Sequence, residues 1–157
     1  GTSYPEDLMK RYIEGRRKVD SGSFPLYSLC VAFGTLASII QLAAGAPESI
    51  VVTTSGWFAW AFIGLQLIGS ASILAALYVT RLDLDDSLKL EQVGALSLLA
   101  ACATYVAAVA TNNGGPPTTF ATWLVVAFGT YLGFRAVEIR SILRELLSQE
   151  DQADGDT

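Results

Sequence analysis

No histidine occurs anywhere in the chain, and no charged residue occurs between Phe24 and Pro47, between Ser49 and Thr80, or between Gln92 and Phe134. The first absence removes the side chain most often used as general base and metal ligand near neutral pH. The second removes carboxylates and ammonium groups from most of the chain. There is no nucleophile elbow, no Walker loop and no paired carboxylates within the apolar runs, so hydrolysis, phosphoryl transfer and metal chemistry lack their parts. The expectation is therefore a protein that is not an enzyme, with no catalytic residue, no metal site and no cofactor. Only two cysteines are present, Cys30 and Cys102, without a CxxC spacing. They read as small apolar core residues. Lys and Arg are also scarce, ten against fifteen Asp and Glu, for a net charge of −5. Apart from a cluster near the N-terminus there is no basic field, which argues against a nucleic-acid partner.

What fills the uncharged stretches is apolar: 52% of the chain is hydrophobic, above the usual soluble balance, and only 16% is charged. A helix needs about 20 apolar residues to cross roughly 30 Å of hydrocarbon. Four stretches supply that, at about 24–45, 56–80, 90–111 and 118–137. The reading is an all-α integral membrane protein, an antiparallel four-helix bundle in a lipid bilayer. The basic residues orient it. Lys10, Arg11, Arg16, Arg17 and Lys18 precede span one, Arg81 and Lys89 separate spans two and three, and Arg135, Arg140 and Arg144 follow span four. Short loops rich in Lys and Arg stay in the cytoplasm, so both termini and the connection at 81–91 are expected inside, with 46–55 and 112–117 outside. The expected location is the cell membrane. Ala44-Gly45-Ala46 imitates a signal cleavage site, but the run before it is longer than the roughly 7–15 residues of a signal core, and it reads as a retained span.

Three regions follow from this division: a basic cytoplasmic segment at 1–23, the transmembrane domain at 24–137, and a cytoplasmic extension at 138–157. Pro5, Glu6 and Asp7 predict the start of a helix that lays its basic residues on the inner membrane surface. Asn112 to Gly115 stops span three, Pro116-Pro117 forbids continuation, and Thr118 or Thr119 is placed to cap span four, so the two spans form a tight hairpin. Ile139, Ile142, Leu143, Leu146 and Leu147 recur at helical spacing beyond span four, which extends that helix. From Gln149 the acidic tail is expected to be disordered. Trp57, Trp60, Phe120 and Trp123 lie at one membrane boundary and Tyr27, Tyr78 and Phe134 at the other, as an aromatic belt.

Within the spans the main polar groups are Gln41 and Gln66, and Gln66 is expected to make an interhelical hydrogen bond. Small residues at four-residue spacing predict close helix packing at Gly34 and Ser38, at Gly129 and Gly133, and at Ala103, Ala107 and Thr111. Glu91 opens span three and Arg135 closes span four, so the hairpin brings them to one depth and predicts an interfacial ion pair. Val31-Ala32-Phe33-Gly34-Thr35 returns as Val126-Ala127-Phe128-Gly129-Thr130, a repeat too short to establish the duplication that builds many transporters.

Four short-looped spans, Leu90-Glu91-Gln92-Val93-Gly94 opening span three, Tyr105 within it, and Arg135-Ala136-Val137-Glu138-Ile139-Arg140 closing span four resemble the small holin-like membrane proteins of phages that infect actinobacteria. The resemblance implies a self-associating protein, a homo-oligomer, that permeabilises or organises the membrane during lysis. Its acidic tail departs from the basic tail of many holins. Two other readings stand beside it. A structural or accessory subunit would dock a protein partner on an exposed stripe of Ile139, Ile142 and Leu146. A small carrier or channel would set Gln41 and Gln66 around a shared, water-filled cavity.

Overall fold

The computed structural model describes residues 24–79 and 81–155. The expected N-terminal helix and its basic cluster lie outside the described residues. The order is α1 (Phe24–Ala44), α2 (Glu48–Thr53), α3 (Gly56–Tyr78), α4 (Leu84–Asn113) and α5 (Phe120–Gly155). Four of these, all but α2, are long and apolar enough to cross a membrane. With no water in hydrocarbon to satisfy backbone groups, a helix is the structure such a stretch can adopt. The hydroxyls in the spans follow the same logic: Thr35, Ser38, Ser70 and Thr130 each donate to the carbonyl four residues earlier.

The helices pack in the sequence α1 on α3, α3 on α4, and α4 on α5. Contacts run in opposite senses along each pair. Tyr78 and Gly34 of α3 and α1 meet Ser28 and Ser70. Ser87 donates to the Ala76 carbonyl at 2.7 Å while Gly94 meets Gly69 and Ile73. Leu88 packs with Ile139, and Cys102 reaches Gly129. One end of the molecule therefore carries the turns at 45–55 and 114–119. The other carries the α3–α4 connection and the outer part of α5.

Four expectations need correction. The connection expected at 81–91 is much shorter, because α4 begins at Leu84 with Asp83 before it and Asp85 and Asp86 in its first turn, where acidic groups favour the positive end of the helix dipole. At 30 residues α4 is about 45 Å long, so a full turn or more stands beyond a bilayer core. The connection expected outside at 46–55 is not all loop either: α2 folds there, with Ile50 fully buried among Phe62, Ile63, Ala101 and Ala108. The tail expected to be disordered from Gln149 continues as helix to Gly155, since Glu, Gln and Ala extend a nucleated helix at little cost. Finally, Tyr27 does not belong to the aromatic belt. It is buried, and its ring stacks at a tilt on Tyr131 with centroids 5.3 Å apart. Tyr78, Phe134, Trp57, Trp60, Phe120 and Trp123 do face outward.

The turn between α4 and α5 is built as its residues demand. Gly114 takes the left-handed conformation at φ 66° and its N–H closes on Thr111, which a side chain would strain. Thr119 precedes α5, and its carbonyl accepts the Thr122 and Trp123 N–H groups while its hydroxyl pairs with that of the buried Thr122 at 2.7 Å.

Candidate functional site: a cavity and the ion pair beside it

Toward the charged end, a polar cluster joins α1, α4 and α5, buried at Glu91 and Arg135 and open to the outside at Glu138. Arg135 donates from Nε to Glu91 Oε1 at 2.8 Å and from Nη2 to Oε2 at 3.5 Å. Its Nη1 donates to Glu138 Oε2 at 2.7 Å, one turn along α5. The Tyr27 hydroxyl donates to Glu91 Oε1 at 3.3 Å. Glu91 is fully buried and Arg135 nearly so, at 6% exposure. A buried carboxylate is tolerable only when it is paired and hydrogen-bonded, and this one is met from two other helices. The two residues expected to pair thus meet, with both side chains buried between helices. Tyr27 and Glu138 belong to the cluster as well. Glu138 was legible as the i+3 neighbour of Arg135, whereas nothing local marks Tyr27.

Toward the turn end, the helices leave a cavity of about 510 Å³. Gln41 of α1, Gln66 of α3 and Tyr105 of α4 line it, with Phe33, Phe62 and Phe128 supplying much of the apolar wall. Cys30 and Cys102, expected as core filler, are free thiols on the same wall. Gln66 Nε2 donates to the Gly34 carbonyl at 3.3 Å and so ties α3 to α1. Gln41 Oε1 is buried without a hydrogen-bond partner among the described residues. The two glutamines are therefore brought to one cavity, as the carrier reading requires, although its wall is mainly apolar.

Two of the three small-residue rows are consumed inside the molecule, while Ala103, Ala107 and Thr111 are exposed. Gly34 faces Ser70 of α3, and Ser38 is fully buried. A Cβ at Gly129 would lie 3.2 Å from the Cys102 Cβ, and one at Gly133 would meet Leu99. Neither pair offers an open face to a second copy. The closest approach is one that no motif signals: a Cβ on Gly94 would lie 2.7 Å from the Gly69 carbonyl oxygen. Neither has a small residue four positions away in its own span, so only the pairing of α3 with α4 gives them meaning.

No family model, curated protein or solved structure matches the chain. What the protein does is read from its own residues.

Proposed function

We propose that the chain is a non-enzymatic, self-associating protein of the cell membrane, an antiparallel four-helix bundle with both termini in the cytoplasm, acting in the holin-like manner that its residue pattern resembles. The opposed contacts along each helix pair support the bundle, and the placement of Lys and Arg supports the orientation. The observation that carries self-association is the exposed stripe of α4. It runs through Val93 and Leu96, then Ala100, Ala103, Ala107 and Thr111. Exposed faces elsewhere carry bulky side chains such as Leu29, Phe33, Leu36 and Ile40 of α1. A small-residue face lets another helix backbone approach closely, and with Gly129 and Gly133 occupied it replaces them as the assembly surface.

The test is membrane potential followed against protein level. Expression is expected to depolarise the bacterial membrane above a threshold concentration, and Ala103→Leu with Ala107→Leu to raise that threshold without loss of insertion. An abundant, inserted protein that leaves the potential unchanged overturns the reading. Against the docking subunit stands the packing of its stripe: Ile139 is fully buried, and the partly buried Ile142 and Leu146 pack with it and with Leu84 and Leu88 of α4. The shared cavity of Gln41 and Gln66 favours a second reading, a small carrier.

A further inference from the structure

The cavity's size, wall and polar atoms together restrict what it can hold. At about 510 Å³ it falls in the range of small-molecule sites, about 300–1,000 Å³. Among the described residues no charged side chain lines it, and rings of Phe33, Phe62 and Phe128 come from three different helices. A charged ligand would lose its hydration there with nothing to replace it. The glutamines are not equivalent. Gln66 spends its amide N–H on the Gly34 carbonyl. Gln41 presents a buried oxygen with no donor facing it among the described residues, an arrangement that costs free energy unless a donor arrives. The side between α1 and α5 is the thinnest wall: α1 packs on α3 and forms no extensive interface with α5, and Tyr27 and Tyr131, which join the two helices, do not line the cavity.

We infer that this cavity binds a small neutral molecule with an apolar body and one hydrogen-bond donor, which enters from the bilayer and places its donor on Gln41 Oε1. The inference rests on the carrier reading for its purpose but not for its chemistry. The binding site exists whether or not the ligand is then moved across the membrane.

The full chain in lipid nanodiscs is titrated with 1-aminoanthracene, which has an aromatic body and one amine donor, and in parallel with anthracene, which has none. Fluorescence is expected to rise saturably with both. Gln41→Leu is expected to weaken 1-aminoanthracene about three- to tenfold, the effect of one net hydrogen bond, while changing anthracene less than twofold. Cys102→Trp, which fills the cavity, is expected to abolish both, with thermal unfolding used to show that the bundle persists. As an independent readout, either probe is expected to protect Cys30 from a membrane-permeant maleimide. If Gln41→Leu leaves both affinities unchanged, the donor assignment is wrong. If neither probe saturates or protects Cys30, there is no site. Binding with no faster equilibration of probe across liposomes than protein-free controls leaves the inference standing and removes the carrier reading.

Discussion

Arg135 and Glu91, 44 residues apart in sequence, meet through two hydrogen bonds in a place where Glu91 has no exposed surface. The contact fixes the register of α4 on α5 close to their charged end. It also draws α1 into the same cluster through Tyr27. Removing one partner strands the other in low dielectric, so Glu91→Ala or Arg135→Ala is expected to cost about 3–5 kcal/mol. Exchanging the two charges, Glu91→Arg with Arg135→Glu, is expected to recover only part of this. The exchanged carboxylate would stand beside Glu138, and Tyr27 would lose its acceptor. Thermal unfolding of the two singles and the double measures the coupling, and full additivity would mean that the pair carries no stability.

Four of the glycines inside the helices predict a graded series. Substitution by Ala is expected to destabilise most at Gly94 and next at Gly69, where a Cβ would lie within 2.7 Å and 2.9 Å of backbone atoms on the facing helix. Overpacking of this kind costs about 1–3 kcal/mol. Gly129 is expected to be milder, since its nearest obstacle is a side chain at 3.2 Å, and Gly133, with 3.8 Å to Leu99, close to neutral. Unfolding temperatures that rank Gly133→Ala lowest would contradict the packing of α5 on α4.

Orientation is tested by cysteine accessibility in intact cells. Cysteines at Glu48 and Asn113 are expected to react with an impermeant maleimide, and cysteines at Asp86 and Ser148 not to react; all four positions are exposed. Ser87 is unsuitable, because it is buried and donates to the Ala76 carbonyl. A cysteine there would stay unlabelled on either side of the membrane. Reaction at Asp86 reverses the topology.

Self-association through α4 makes a positional prediction. In a chain with Cys30→Ser and Cys102→Ser, a cysteine at Ala103 or Ala107 is expected to form disulfide-linked dimers under mild oxidation. A cysteine at Leu132, which is fully buried, is expected not to. Efficient crosslinking at Leu132 instead would mean that the bundle opens before copies join.

The spans were legible because their signal is compositional. Absence of charge over some twenty residues is decided by the cost of desolvation alone, and needs no knowledge of neighbours. The hairpin turn was legible for a related reason: Gly114 and Pro116-Pro117 impose backbone angles locally. The meeting of Glu91 with Arg135 was within reach because two charged residues at opposite ends of adjoining spans come to the same depth.

Which face of each helix turns inward is a different matter. In a span that is apolar all round, no hydrophobic stripe separates the buried side from the lipid side, as it does in a water-soluble bundle. Gly129 and Gly133 were therefore readable as a packing face but not as the face for α4, and the exposed alanines of α4 were indistinguishable from core. The depth of Tyr27, the approach of Gly69 to Gly94, and the cavity that gathers Gln41, Gln66, Cys30 and Cys102 depend on helix rotation and neighbour choice. Those are decided by close packing between backbones, and only the tertiary structure supplies them.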